Sequence, residues 1–247
     1  MESSRTTPNP MRLGIWNVLN DPFLVPDSFK DLDFVFLDLE HGFRDFSACQ
    51  ATYSKLIANG IDVFVRIRNS EDVLVQSLLD LGVRNFIVPQ VRTLTELHNL
   101  SRRVSFPPKG SRGFHPRISR NPDSLKDNFR DIQLFPIIET REILNFLPEI
   151  FALDNVAGVY FGNFDLSFEL ECQKDFSDPV MNSALEKSII EASKAAKRFV
   201  AMPKDDSEMT LLSLKGVSEF VIGIDSEMLY ESIRLVAGSF KEKFNGS

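Results

Sequence analysis

Two cysteines, three histidines and one tryptophan in 247 residues leave little room for several common chemistries. Cys49 and Cys172 stand alone, with no Cys-x-x-Cys and no Cys/His cluster, so the pattern offers no structural zinc site and the pair reads as two reduced thiols. No stretch approaches the roughly 18 apolar residues of a membrane span. Residues 1–10 are polar and lack an apolar core, which predicts a loose tail, no signal peptide and a cytoplasmic protein. Basic charge is also short: 28 Lys and Arg stand against 35 Asp and Glu, a net charge of −7. Phosphate-backbone binding needs a basic patch, so nucleic acid is not an expected partner. Neither Gly-x-Gly-x-x-Gly nor a Walker-type loop occurs, and nothing favours a nucleotide-binding fold.

What the chain does have is alternation. Phe34-Val35-Phe36-Leu37-Asp38-Leu39-Glu40-His41-Gly42 opens on an apolar run with no polar interruption, the signature of a parallel strand buried on both faces. It ends abruptly in two carboxylates, an imidazole and a glycine. Strand-like runs also occur at Met11–Asn17, Asp62–Ile67, Asn85–Pro89, Gln133–Ile138, Ala157–Phe161, Phe199–Met202 and Glu219–Ile224. Helical patterns fill the gaps: a weak one from Asp21-Pro22, Asp45–Asn59 closed by Gly60, and Ser70–Leu81 stopped by Gly82. Thr93 caps a helix to about Val104, with Glu96 placed as in a capping box. Later helices run to about Pro148, over Pro179–Arg198, from Asp205-Asp206, and from Ser226 to about Phe244. Eight β-α units without a linker predict a single-domain TIM (β/α)8 barrel over residues 11–247, with an open doubly wound sheet as the alternative. Ser105 to Asp131 has no apolar periodicity and contains Phe106-Pro107-Pro108-Lys109-Gly110-Ser111-Arg112-Gly113, which is loop chemistry. A connection this long in a compact domain is usually functional or disordered.

In a barrel, residues at the C-terminal strand ends share one mouth. Here they are Asp38, Glu40 and His41, Arg66 and Arg68, Glu139, and Asp165. Two carboxylates from separate strands suit a hard divalent ion that keeps open positions for water or a chelating substrate. An arginine beside them stabilises developing negative charge, and a histidine moves protons. Plainer readings stand beside these. Glu139 and Asp165 could form a structural ion-pair network with Arg66 and Arg68. His41 could be a satisfied strand-end histidine, Asp38 buried scaffolding, and Asp80 a solvated helix-end residue. His98 reads as a surface residue; His115 lies in the long loop, from which it could reach the mouth.

Asp38-Leu39-Glu40-His41-Gly42, Val65-Arg66, Ile87-Val88-Pro89-Gln90-Val91, Phe106–Gly113, Ile137-Ile138-Glu139-Thr140 and Gly162-Asn163-Phe164-Asp165-Leu166-Ser167 stand in an order that resembles the HpcH/HpaI aldolase family, the class II pyruvate aldolases acting on 4-hydroxy-2-oxo acids. The resemblance covers about Met11 to Phe240. It implies a β/α barrel whose divalent cation (Mg²⁺, Mn²⁺ or Co²⁺) is held by Glu139 and Asp165. It makes Arg66 the residue that steadies an enolate and His41 the base. Asp80 becomes the aspartate that raises the histidine's basicity, often across a subunit contact. Backbone at Gly162, Phe164 and Asp165 would bind substrate, with Asp38 and Glu40 in support. The family also implies a homo-oligomer, commonly a hexamer of dimers that exchange the last helix. The expected reaction is metal-dependent aldol cleavage to pyruvate, or a close 2-oxo acid, and an aldehyde, through an enolate on the metal.

The sequence departs from that family in places. Gly162-Asn163-Phe164 replaces Gly-Pro and a small residue, and Phe168-Glu169-Leu170-Glu171 lacks the glycine expected after Asp165-Leu166-Ser167. Ile137 stands where some members have glutamine, and Ala196-Lys197-Arg198 replaces a glycine-bearing turn. Two other readings follow: a binding or scaffolding protein that keeps the fold, and a citrate-lyase-like acyl-CoA lyase.

Overall fold

The computed structural model describes residues 10–19, 21, 29–42, 46–113 and 132–245. Eight parallel strands close into a barrel in sequence order, each hydrogen-bonded to the next and β8 to β1. They are β1 (Arg12–Asn17), β2 (Phe34–Asp38), β3 (Asp62–Arg66), β4 (Asn85–Val88), β5 (Gln133–Ile138), β6 (Gly158–Phe161), β7 (Arg198–Ala201) and β8 (Glu219–Ile224). The described helices are α1 (Phe46–Ala58), α2 (Val75–Leu81), α3 (Leu94–Val104), α4 (Leu147–Phe151), α5 (Asn163–Glu169), α6 (Pro179–Lys194), α7 (Asp206–Leu214) and α8 (Asp225–Asn245). The TIM-barrel reading holds and the open sheet does not. The proposed N-terminal tail, the helix after Asp21-Pro22 and His115 fall on residues outside those described.

Sequence signals and observed boundaries agree where a cap is local. Thr93 Oγ1 accepts from Glu96 N–H at 3.3 Å at the start of α3, Asp178 and Asp205 cap α6 and α7, and Gly60 and Gly82 end their helices with positive φ. Four expectations need correction. Asp72 accepts from Arg68 and Leu74 N–H and holds a turn, so α2 begins at Val75 rather than Ser70. The helix before Pro148 is a 3₁₀ turn at Glu142–Asn145 followed by α4. Arg198 belongs to β7, not to the helix before it. Asp165 lies not at a strand end but in the first turn of α5, a helix the sequence pattern did not reveal.

Two apolar clusters follow from strands with two buried faces. The larger packs the outer faces of the strands against the helices. The smaller fills the barrel with aromatic rings from Trp16, Phe34, Phe36, Phe64, Phe135 and Tyr160. Neighbouring rings lie 5.0–5.7 Å apart, mostly tilted or edge-to-face. Gly14 makes this possible, because a Cβ there would sit 2.3 Å from the Phe34 ring. Cys49 and Cys172 are free and buried. Among the described residues no helix is long and apolar enough to cross a membrane.

Candidate active site

The barrel positions Asp38 and Arg66 side by side, since they pair in register at the ends of β2 and β3. Asp38 is wholly buried and gathers donors from three directions. Arg66 donates through Nε (2.9 Å) and Nη2 (2.5 Å), Trp16 through Nε1 (3.3 Å), and the backbone N–H groups of Glu40 (2.9 Å) and His41 (3.2 Å) close the turn. Burial alone would raise the Asp38 pKa; the Arg66 bonds and the two backbone donors outweigh it and hold the carboxyl below its usual range. On Arg66 burial pulls down and the bond to Asp38 pushes up, with a net rise. The guanidinium also lies 4.5 Å over the Trp16 ring, and its Nη1 sits 2.9 Å from Glu40 Oε2, an ion-pair contact without hydrogen-bond geometry. Arg66 is therefore fixed on three sides.

Glu139 follows β5 and is 3% exposed. Its Oε1 accepts from Gln90 N–H at 2.5 Å, a donor aimed by a left-handed backbone at Gln90 (φ 53°). No donor to Oε2 is recorded among the described residues, and this oxygen faces Gly162, where a Cβ would approach it to 3.4 Å. Burial, with repulsion from Glu40 and Asp165, raises Glu139 to about 7 despite the Gln90 bond and the Arg66 charge. Glu40 is raised as well, chiefly by burial, with Asp38 and Asp165 adding repulsion that Arg66 and His41 do not overcome.

Asp38, His41, Arg66, Glu139, Gly162, Phe164 and Asp165 all line one hollow of about 360 Å³ at the C-terminal mouth. Trp16, Val18, Ile137, Tyr160, Met202 and Ile224 give it an apolar wall. His41 is largely exposed, its Nε2 4.0 Å from Glu40 Oε2. Phe164 is 48% exposed and stands edge-on to Phe176 at 5.1 Å, so its ring narrows the rim rather than plugging the hollow. Arg66 pairs with Asp38 and Glu40, not with Glu139 or Asp165, so the ion-pair network anticipated for those two is not formed. Arg68 is exposed and uses its backbone N–H on Asp72. Asp80 is not in the hollow; exposed on α2, it accepts from Gln76 at 2.9 Å. His98 is on the surface of α3, as expected.

The structure adds Trp16 and Gln90 to the residues foreseen. The signal for Trp16 was a lone tryptophan on β1, in the same alternate-residue series as Arg12 and Gly14. Gln90 lies in a motif piece that carries the family resemblance, but it acts through its backbone N–H, so its side-chain type announced no role.

Glu139 and Asp165 fit a divalent cation. Both line the hollow, one is a buried carboxylate with an undonated oxygen, and the nearest guanidinium is already taken. Among the described residues no group of three or more Asp, Glu, His or Cys is arranged around a metal position. A two-carboxylate site completed by water and substrate oxygens is the arrangement Mg²⁺ favours.

The profile of the HpcH/HpaI aldolase/citrate lyase family matches residues 12–230. This chain belongs to that family. It is a carbon–carbon lyase. It is 28% identical over 239 residues to a hydroxypyruvate/pyruvate aldolase of Deinococcus radiodurans, covering 94% of this chain and 86% of the relative. The citrate synthase SbnG superposes with a TM-score of 0.86 at 23% identity, over 96% of this chain and 95% of its own. The citrate lyase β subunit of M. tuberculosis, solved with oxaloacetate and magnesium, superposes at 0.57 and 16% identity, over 87% and 92%. At these identities the two superpositions speak to the fold.

Proposed function

We propose that the family member described here catalyses metal-dependent aldol cleavage, and the reverse condensation, of a 4-hydroxy-2-oxo acid, giving pyruvate or a close 2-oxo acid and an aldehyde. The observation that carries this reading is the convergence of His41, Arg66, Glu139 and Asp165 from separate β-α units on one hollow. The aldolase-named relative puts this chemistry ahead of the acyl-CoA lyase and scaffold readings.

Glu139 and Asp165 would hold the cation, Mg²⁺, Mn²⁺ or Co²⁺, which supplies Lewis-acid stabilisation of negative charge on the 2-oxo acid. The magnesium in the citrate lyase β subunit is consistent with this choice. Arg66 presents a guanidinium locked by Asp38 and Trp16, so positive charge already stands where the enolate oxygen develops and little reorganisation is needed. His41, at the solvent edge, takes the proton from the 4-hydroxyl oxygen as the C3–C4 bond breaks. Gly162 keeps the space beside Glu139 open, and Tyr160, Met202 and Ile224 offer an apolar wall to the rest of the substrate.

A second copy of the chain would complete the enzyme. Helix α8 exposes Leu229, Tyr230, Ile233, Leu235, Val236 and Phe240, which suits a helix exchanged between subunits, and such a contact could bring the partner's Asp80 to His41. Pyruvate release from 4-hydroxy-2-oxo acids should vanish with chelation and return with added Mg²⁺, Mn²⁺ or Co²⁺. Failure of all three metals to restore it, in protein whose fold is intact by circular dichroism, would overturn the reading.

A further inference from the structure

The segment Phe106–Gly113 plays no part in the mouth. Helices in a β/α barrel run antiparallel to the strands, so the C-terminal end of α3 and the loop after it lie at the opposite, N-terminal face. There the loop folds back on its own helix. Ser111 N–H donates to Arg102 O (2.8 Å), Arg112 N–H to Ser105 O (2.9 Å) and Gly110 N–H to Phe106 O (3.0 Å). Gly110 has to be glycine here, since a Cβ would come within 2.1 Å of the Arg102 carbonyl. The fold-back directs the Arg112 side chain inward, where it is 6% exposed.

Arg112 is a buried cation short of partners. Of its five N–H groups, Nη2 makes one long bond to Leu79 O (3.4 Å), Nε has no acceptor, and the guanidinium rests 4.5 Å over the Phe106 ring. Among the described residues no carboxylate pairs with it, and Asp80 acts on it only from a distance. A desolvated guanidinium without a counter-ion is a costly arrangement in a folded protein. Arg103, on the same turn of α3, shows the ordinary outcome: it is spent on the carbonyls of Ser70 and Asp72.

Arg112 also lines a hollow of about 620 Å³ together with His98, Arg102, Lys109, Asp154 and Asn155. In a chain of net charge −7 the described lining carries an excess of positive charge, with Asp154 the lone acid among the described lining residues and paired to Lys109 at 3.3 Å. Helix-dipole complementation explains a basic residue in the last turn of α3, but not a buried, under-bonded one on the loop beyond it. We propose that this hollow is a binding site for a compact oxyanion, a phosphate or a carboxylate group, with Arg112 as its buried anchor and Arg102 and Lys109 as its rim.

The test uses the full chain without added divalent metal, titrated calorimetrically with inorganic phosphate and, separately, with acetate, at an ionic strength held constant by sodium chloride. The expected result is saturable binding of one anion per chain, a rise in Tm, and weakening of about tenfold or more in an Arg102→Ala/Lys109→Ala variant, whose exposed positions spare the fold. Binding of phosphate alone identifies a phosphate site; variant-sensitive binding of acetate identifies a carboxylate site. Arg112→Gln should abolish binding wherever it folds. Binding that the surface variant leaves unchanged, or no saturable binding of either anion, overturns the proposal. So does a surface variant that binds no anion differently but loses oligomer mass, since a carboxylate from a second copy would then be the counter-ion.

Discussion

The two mouths of this barrel are built from the same kinds of charged side chain, balanced at one and with acid in excess at the other. At the N-terminal mouth the first residues of the strands meet in a closed set: Arg12 pairs with Asp62 (3.0 Å) and Glu219 (3.3 Å), and Arg198 grips both oxygens of Glu219 (2.6 Å each) and reaches Gln133 (3.3 Å). Asn85 satisfies the other oxygen of Asp62 (2.8 Å), and Arg198 covers the Phe64 and Phe135 rings. Two cations meet two anions. At the C-terminal mouth, Asp38 and Glu40 take the guanidinium of Arg66, while Glu139 and Asp165 line the same mouth with no ion pair among the described residues. A buried ion set that closes on itself is scaffolding; one with carboxylates in excess of its cations offers the donor set that the proposed divalent cation would use.

The comparison can be broken at either mouth. The largest effect belongs to Arg66→Ala, which should lower kcat by a factor on the order of 10²–10³ as the positioned charge is lost, and should also cost about 3–5 kcal/mol of stability by stranding buried Asp38, so kcat is read on protein that circular dichroism shows to be folded. Full activity in steady-state kinetics would remove Arg66 from the chemistry. Glu219→Gln strikes the balanced mouth and should cost stability alone, about 2–4 kcal/mol in denaturant unfolding by stranding Arg12 and Arg198, while the folded protein keeps its activity. Glu139→Gln should abolish metal-dependent turnover yet stabilise the metal-free protein at pH 8 by about 1–3 kcal/mol. The sign follows from a folded-state pKa of about 7 against 4.5 unfolded: between those values the folded state holds more protons, so the metal-free wild type loses stability as pH rises from 4.5 to 7. The glutamine variant should show a flatter Tm–pH profile across that window.

The smallest effect lies away from both mouths and serves as a control. Ala196 has φ 51° at the end of α6, a left-handed position that suits glycine. Ala196→Gly should raise stability by about 0.5–1 kcal/mol without touching kinetics or the pH profile. Glu171, Gln173 and Lys174, also at positive φ, mark the loop after α5 where the family's glycine is missing. In both places the departures noted in the sequence coincide with left-handed backbone carried by residues other than glycine.

Much of the fold was legible because its cues are local. The unbroken apolar run Phe34–Leu37 needs two covered faces, and Thr93, Gly60 and Gly82 work through bonds to residues three to five away. The charged strand end at Asp38–His41 was visible for the same reason. The roles within it were not. Which carboxylate takes Arg66, and which is left without a cation, depends on the register of β2 against β3 and on a backbone donor at Gln90 from a different strand end. The helix at Asn163–Glu169 was hidden because it is one short turn-pair with no apolar periodicity to read.

The sequence by itself determined the eight-fold β-α alternation, the family, and the residue types gathered at the C-terminal mouth, because periodicity, caps and motif order are properties of neighbours along the chain. Only the tertiary structure decided that Asp38 is the partner of Arg66, that Glu139 stands buried and under-compensated, and that Arg112 lies beneath a second hollow at the far end. Burial and charge pairing here are set by residues 28 to 49 positions apart, and no local pattern records them.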